Sequence, residues 1–128
     1  MSDKLMVLVV DDDRYISEGA SLRLRAAGFN TAIANNGAEA IAMVKEIEPD
    51  AMVLDIRMPV MDGLSALKAI KNDEQTKDIP VVMLSVSVVD QDRALDSGAR
   101  FFIRKPFIGP ALVEAVAAAT APSQQAAG

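Results

Sequence analysis

Five short apolar runs, each separated from the next by a longer segment with helical spacing, constrain the fold of this chain more than any other feature. The runs are rich in β-branched residues and have the length of buried strands. They lie at Leu5 to Val10, Thr31 to Ala34, Ala51 to Leu54, Pro80 to Leu84 and Phe101 to Ile103. Alternating strands and helices predict right-handed βαβ crossovers, a parallel sheet and helices on both faces. The pattern therefore predicts a doubly wound α/β fold.

The first three intervening segments carry start and stop signals of helices. The first ends at Gly28, where a left-handed residue is needed, and the third begins after Asp62, a favourable N-cap. Apolar stripes follow the helical period at Ile16, Ala20, Leu24 and Ala27, at Ala40, Ile41, Val44 and Ile47, and at Leu64, Leu67 and Ile70. These spacings predict three helices, each with one face against the sheet.

The sequence signals for the last two helices differ in strength. Gly109 and Pro110 open the fifth, because proline suits the first helical position, and Leu112, Val113 and Val116 supply its apolar stripe. We expect the fourth to be the most mobile, since it has few residues to bury. It is predicted at about Val88 to Ser97, with Val88, Val89, Ala94 and Leu95 available for burial.

Composition and charge exclude several classes of protein. No apolar run approaches the roughly 20 residues that span a bilayer, and the N-terminus lacks the regions of a signal peptide, so we expect a soluble, cytoplasmic protein with no membrane partner. Thirteen basic and eighteen acidic residues give a net charge of −5, the wrong sign for direct nucleic-acid binding. The chain has no histidine, so any histidine chemistry must come from a partner.

Polar residues with complementary chemistry follow four of the predicted strands. The first run ends in Asp11, Asp12 and Asp13, the third in Asp55, the fourth in Ser85 and the fifth is followed by Lys105. In open parallel sheets, ligands bind beyond the carboxyl ends of the strands. We therefore expect these residues to converge on one edge of the sheet, except that Asp13 is better interpreted as a helix cap.

Such a carboxylate cluster needs a cation. Two carboxylates about 4 Å apart repel by about 4 kcal/mol at an effective dielectric near 20, and oxygen ligands without histidine or cysteine suit Mg²⁺, with Mn²⁺ as a substitute. An aspartate can accept a phosphoryl group when a metal and a lysine neutralise its charge. Each residue alone also has a structural interpretation, as a cap, a turn hydroxyl or a surface lysine, so the hypothesis depends on their coincidence.

Four motifs together resemble the response-regulator receiver family. They are the run Val9 to Asp13, the run Val53 to Gly63 (VLDIRMPVMDG), the run Pro80 to Ser85 (PVVMLS) and the run Phe102 to Phe107 (FIRKPF). The resemblance covers about residues 4 to 120, which we take as one receiver domain, and leaves 121–128 as a flexible tail or cut linker. It implies a flavodoxin-like (βα)5 sandwich with strand order 2-1-3-4-5.

The resemblance also implies a role for each site residue. Asp55 is similar to the phosphoacceptor, Asp12 and Asp55 to direct metal ligands, and Asp11 to a ligand acting through water, with Arg57 lending its backbone carbonyl. Ser85 and Lys105 are similar to the hydroxyl and the ammonium that bind the phosphoryl oxygens, and Pro106 is expected to follow a cis peptide bond. Ser85 and Phe102 are similar to the switch residues, although without the family context Phe102 is better interpreted as core packing. Met58, Pro59 and Gly63 are interpreted as structural.

The implied function is a signalling switch that catalyses only its own phosphorylation and dephosphorylation. Its partners would be a sensor histidine kinase or a histidine phosphotransfer protein, and a protein effector on the face made by the fourth helix, fifth strand and fifth helix. Two alternatives remain open. One is a receiver-like module that binds partners without phosphorylation. The other is a phosphohydrolase like haloacid dehalogenases, with Asp11 as nucleophile and Asp13 completing a D-x-D pair.

One residue departs from the family pattern. Val86 follows the predicted hydroxyl where the family usually has alanine or glycine. A branched side chain there is expected to narrow access to the acceptor and to slow phosphoryl exchange. Arg57 and Ser87 occupy positions that tune hydrolysis in this family.

Overall fold

The computed structural model describes residues 4–105 and 109–121. Five strands and five helices alternate along these residues. The strands are β1 (Met6–Val10), β2 (Asn30–Ala34), β3 (Ala51–Asp55), β4 (Val81–Ser85) and β5 (Phe101–Arg104). The helices are α1 (Arg14–Ala26), α2 (Gly37–Ile47), α3 (Gly63–Lys71), α4 (Asp90–Asp96) and α5 (Gly109–Thr120). The predicted number and kind of elements are confirmed.

The strands form one parallel sheet in the order β2-β1-β3-β4-β5. This confirms the predicted flavodoxin-like order and places β3 at the centre, between β1 and β4. Val10 is level with Leu54, and Asp55 is level with Leu84. The carboxyl ends of the three central strands therefore lie side by side at one edge.

Successive strand residues point to opposite faces, so each strand serves two cores. On one face Leu8, Met52 and Met83 pack with α2, α3 and α4, and on the other Val7, Val53 and Val82 pack with α1 and α5. All five residues of β3 and of β4 are buried, as expected for strands covered on both faces. The helices thus hold the central strands, and the side chains at their ends, in fixed positions.

The predicted caps at Asp13 and Asp62 and the predicted end of the first helix at Gly28 are confirmed. The carboxylate of Asp13 accepts from the backbone N–H groups of Tyr15 and Ile16, and that of Asp62 accepts from Ser65. Gly28 has a φ of 105°, the left-handed conformation expected after α1. Asp13 therefore acts as a cap.

The prediction for the fourth helix was wrong in its start and in most of its buried face, although Ala94 is buried as expected. The helix begins at Asp90 because the residues before it form a turn. In this turn the Ser87 carbonyl accepts from the backbone N–H of Asp90, and the Val88 carbonyl accepts from that of Gln91. Val88, Val89 and Leu95 are exposed, and the buried residues of α4 are Asp90 and Ala94. The expected mobility of α4 stays a prediction.

Within the described residues, none of the helices combines the length and the apolar character needed to cross a membrane.

Candidate functional site

The carboxyl ends of β1, β3, β4 and β5 bring the predicted residues together. Asp55 and Ser85 are the last residues of β3 and β4, whereas Asp11 and Lys105 directly follow β1 and β5. The backbone N–H of Lys105 donates to the Ser85 carbonyl at 2.8 Å, which holds the end of β5 against β4. The structure thus places these four residues at one edge of the sheet, as the strand pattern predicted.

Three carboxylates form the centre of this edge. One carboxylate oxygen from each of Asp11, Asp12 and Asp55 lies within 4.8 Å of the other two. Asp11 and Asp55 are buried, whereas Asp12 is exposed to solvent. A set of oxygen donors with one side open fits a hard divalent cation such as Mg²⁺, which keeps several of its waters.

Lys105 supplies the positive charge within this cluster. Its Nζ lies 2.8 Å from Asp11 Oδ2 and 3.0 Å from Asp55 Oδ1, with only 10% of its side chain exposed. Burial alone would lower the pKa of the Lys105 ammonium, but hydrogen bonds and charges of Asp11 and Asp55 outweigh burial and raise it. Lys105 is therefore a fixed cation. Its single positive charge lies beside a cluster of three carboxylates.

Asp55 is the carboxylate whose ionisation the site perturbs most clearly. Burial raises the pKa of Asp55 from 3.8 to about 6, and the charges of Asp11 and Asp12 act in the same direction. The hydrogen bond and charge of Lys105 oppose this rise. Asp55 is thus a buried carboxylate with a pKa of about 6 and with a cation beside one of its oxygens.

Ser85 makes a contact that the sequence did not indicate. Its Oγ donates to Asp90 Oδ2 at 2.7 Å and accepts from the backbone N–H of Ser87 at 3.1 Å. Asp90, the first residue of α4, also accepts from Arg57 Nε at 3.2 Å. Asp90 is thus a buried partner of Ser85 that sequence reasoning missed. Nothing in the local sequence separates it from Asp92 and Asp96 in the same short helix.

The other predicted residues lie around this centre. Arg57 follows β3, and its exposed side chain reaches Asp90; the role expected for its backbone carbonyl stays a prediction. Phe102, in β5, is partly buried against the core on the α4 side of the sheet. Pro106 and Phe107, and with them the expected cis peptide bond, lie outside the described residues.

The loop after β3 fits tightly around Asp55. The Gly63 N–H donates to the Ile56 carbonyl at 2.7 Å, and a Cβ on Gly63 would overlap the Asp55 carbonyl oxygen. Met58 is buried and Pro59 is exposed. These contacts support the structural interpretation of Gly63.

An apolar groove borders the site. It has a volume of about 640 Å³ and is lined on the α1 side by Tyr15, Ile16 and Leu22 and at the sheet edge by Val86 and Lys105. Tyr15, Leu22 and Val86 expose more than half of their surface. The groove therefore offers an apolar surface next to the carboxylate cluster.

Comparison with known sequences gives a consistent result. The family model described as the response regulator receiver domain matches residues 7–117. The transcriptional regulatory protein PrrA of Mycobacterium tuberculosis is 44% identical over 114 residues, which are 88% of this chain and 48% of PrrA. The DNA-binding response regulator MtrA of Mycolicibacterium paratuberculosis is 38% identical over 88% of this chain and 49% of its own. The chain thus spans about half the length of these curated relatives.

Solved structures agree with the sequence comparison. A protein described as a response regulator from Chloroflexus aurantiacus superimposes with a TM-score of 0.90 at 30% identity, over 94% of this chain and 100% of that one. The chemotaxis protein CheY4 of Vibrio cholerae gives a TM-score of 0.84 at 30% identity, over 91% of this chain and 98% of that one. With the sheet order, the converging strand ends and the family match in agreement, the chain belongs to the response regulator receiver family of two-component systems.

Proposed function

We propose that this receiver domain is a phosphorylation switch that accepts a phosphoryl group on Asp55 from a phosphohistidine of a sensor kinase or a histidine phosphotransfer protein. The observation that carries the proposal is the position of Lys105, whose ammonium lies between Asp11 and Asp55 at 2.8 and 3.0 Å. A buried carboxylate with a fixed cation at one oxygen is suited to bind and react with a dianionic phosphoryl group.

The nucleophile of the transfer is an oxygen of the ionised Asp55 carboxylate. It attacks phosphorus as the bond to the donor nitrogen breaks, so the chain gains an aspartyl phosphate. A pKa of about 6 leaves most of Asp55 ionised at neutral pH. Lys105 is placed to bind an oxygen of the transferred group, because its ammonium already contacts Asp55.

The metal assigned to this reaction is Mg²⁺, with Mn²⁺ as a substitute. Asp11, Asp12 and Asp55 would hold it, Asp11 through water, and the Arg57 backbone carbonyl would complete the protein ligands. When bound, the ion neutralises charge on the transferring group and on the carboxylates. The oxygen-only donor set of the cluster supports this assignment.

The switch would act through Ser85 and Phe102. Phosphorylation places strong acceptor oxygens beside the end of β4, which draws the Ser85 hydroxyl inward and gives Phe102 room to bury. The effector surface would be α4, β5 and α5. The shallow burial of α4, where only Asp90 and Ala94 are buried, supports a helix that changes position at low cost.

The groove next to Lys105 is the proposed approach of the phosphodonor. Its exposed apolar residues Tyr15, Leu22 and Val86 offer a surface for a protein partner directly beside the acceptor. The alternative of a haloacid-dehalogenase-like hydrolase gains nothing from the structure, because Asp13, the second aspartate of its D-x-D pair, is engaged as the cap of α1.

The test is the intact mass of wild type, Asp55→Asn and Asp92→Asn after incubation with acetyl phosphate, with Mg²⁺ and with chelator. Asp92 is an exposed aspartate of α4 and serves as the matched control. We expect a Mg²⁺-dependent gain of one phosphoryl group on wild type and Asp92→Asn and none on Asp55→Asn. Labelling of Asp11 with repeated turnover would favour the hydrolase, and no adduct with acetyl phosphate or a purified kinase would favour the phosphorylation-independent module.

The effector surface has its own measurement. Amide NMR spectra with and without beryllofluoride, a mimic of the phosphoryl group, should differ in α4, β5 and α5. Unchanged amide shifts in these three elements, with beryllofluoride bound, would rule out this face as the readout.

A further inference from the structure

Asp90 is a buried charge outside the carboxylate cluster. Only 4% of its side chain is exposed, although it lies at the start of a short helix whose other acidic residues, Asp92 and Asp96, are at the surface. A buried carboxylate is costly unless hydrogen bonds satisfy its oxygens. The hydrogen-bond partners of Asp90 therefore stabilise α4 in its observed position.

Two residues from the candidate site satisfy Asp90. Ser85 Oγ donates to Asp90 Oδ2 at 2.7 Å, whereas Arg57 donates from Nε to the same oxygen at 3.2 Å and from Nη2 to Oδ1 at 3.5 Å. The Ser85 bond is at the short distance typical of a hydroxyl bonded to a charged acceptor. The Arg57 side chain is 62% exposed, so its contribution is screened by water. Ser85 is thus the main buried donor to Asp90.

A serine hydroxyl has one proton to donate. In the structure Ser85 donates that proton to Asp90, yet the proposed switch needs it for a phosphoryl oxygen on Asp55. The two acceptors compete for the same proton. Binding of Ser85 at the acceptor therefore requires that Asp90 lose its buried donor.

We propose that Asp90 is a positioning residue that holds the Ser85 hydroxyl away from the acceptor and couples its release to movement of α4. This inference rests on the proposed function and deepens it. We call the hydrogen bond between the two side chains the Ser85–Asp90 latch. When the latch opens, Asp90 keeps only its exposed arginine partner and must reach water, and Ala94 is the only other buried residue of α4.

The latch predicts a gain of affinity when Asp90 is removed. The experiment measures the Kd for beryllofluoride with Mg²⁺ in wild type, Asp90→Ala, Asp90→Asn and Asp92→Asn. We expect Asp90→Ala to bind about tenfold more tightly, as for a hydrogen bond to a charged group that no longer has to be broken. Asp90→Asn should gain less, because its amide oxygen still accepts from Ser85, and Asp92→Asn should bind as wild type does.

The direction of the change separates a latch from a purely structural residue. Damage to the fold would weaken binding, so tighter binding by folded Asp90→Ala supports the latch. Wild-type or weaker affinity in both Asp90 variants, with Asp92→Asn unchanged, overturns it. Asp90→Asn keeps the shape of the side chain and provides the test if Asp90→Ala does not fold.

A second readout does not depend on phosphoryl chemistry. If wild type and Asp92→Asn also fail to bind beryllofluoride, the proposed function fails, and amide hydrogen exchange of α4 in the unligated proteins decides the latch. Faster exchange in Asp90→Asn than in Asp92→Asn supports coupling between Asp90 and the position of α4. Equal exchange overturns it.

Discussion

Gly63 packs directly against the backbone of Asp55. A Cβ at residue 63 would overlap the Asp55 carbonyl oxygen and come within 2.8 Å of Ile56 Cα. Both neighbours are backbone atoms, one of the last residue of the central strand and one of the residue that follows it. Neither can move without moving Asp55. Gly63→Ala is therefore expected to lower the free energy of unfolding by about 1 to 3 kcal/mol and to slow labelling by acetyl phosphate. Urea denaturation and the rate of mass gain measure the two effects.

Gly19→Ala is the matched control for this substitution. Gly19 lies inside α1, and nothing is within 4 Å of the position its Cβ would take. Alanine there should raise stability by about 0.5 to 1 kcal/mol, because glycine is a poor helix former, and labelling should not change. A Gly63→Ala protein as stable and as rapidly labelled as wild type would contradict the close packing.

Lys105→Met is predicted to destabilise the metal-free protein. The substitution leaves the buried carboxylates of Asp11 and Asp55 without their shared cation, and removal of one partner of a buried ion pair typically costs about 3 to 5 kcal/mol. Mg²⁺ should restore part of the loss, since a cation again neutralises the cluster. Urea denaturation in chelator and in Mg²⁺ gives both values, and Lys68→Met on the exposed side of α3 is the control. A loss that Mg²⁺ does not reduce would count against the metal site.

The raised pKa of Asp55 makes stability depend on pH in a defined window. The folded protein holds the Asp55 proton up to about pH 6, whereas the ordinary pKa of an aspartate, which applies in the unfolded chain, is 3.8. The folded state binds this proton more tightly than the unfolded state does. The stabilisation from the bound proton is therefore complete below pH 3.8 and is lost as pH rises through about 6. In metal-free protein, Asp55→Asn should therefore gain stability over wild type across this window, on the order of 1 kcal/mol.

Urea denaturation of wild type and Asp55→Asn at several pH values, all in chelator, tests this prediction. The difference between the two proteins isolates Asp55 from the other carboxylates that titrate over the same range. The difference in the free energy of unfolding should grow as pH rises from 3.8 to about 6 and then level off. A difference that does not vary with pH would contradict the raised pKa.

Val60 is held in a strained backbone conformation. Its φ is 71°, in the left-handed region that a β-branched residue rarely adopts, and the residue is 83% exposed. Val60→Gly relieves this strain and loses little packing, so we expect a gain of about 1 kcal/mol. Val89→Gly is the control, because Val89 is also exposed but has an ordinary φ of −63°; it should not be stabilised. Thermal denaturation compares the two, and equal effects would argue against strain at Val60.

Val86 is expected to slow phosphoryl exchange. The residue is 60% exposed and lines the groove beside Lys105, where a donor or a hydrolytic water would approach. Val86→Ala should be phosphorylated by acetyl phosphate, and should lose the phosphoryl group, a few times faster than wild type. Equal rates in both directions would show that access past Val86 does not limit the reaction.

The sequence determined the elements better than their arrangement. Alternating apolar runs and helical stripes predicted ten elements, and short-range chemistry predicted the caps Asp13 and Asp62, because these signals depend on neighbours along the chain. The strand order required a resemblance to a known family, since nothing local states which strands pair. Asp11, Asp55, Ser85 and Lys105 could be placed at one edge because parallel strands share a direction.

Residues whose role depends on packing were harder to predict. Val88 and Val89 have the composition of a buried face but lie in an exposed turn, whereas Asp90 beside them is buried. Local sequence favours the opposite assignment at all three positions. Only the hydrogen bonds from Ser85 and Arg57 explain the burial of Asp90, and both donors come from other elements of the fold.

Lys105 and Asp11 are 94 residues apart in the chain. Pairing of β1 with β3 already brings Asp11 and Asp55 close together, while the cation that separates their charges arrives only with the edge strand β5. In the absence of metal, a partly folded chain that lacks β5 therefore carries repulsion between Asp11 and Asp55 at the centre of its sheet, which docking of the last strand reduces. The same charges that serve the site thus make folding more cooperative, since intermediates without β5 are selectively destabilised.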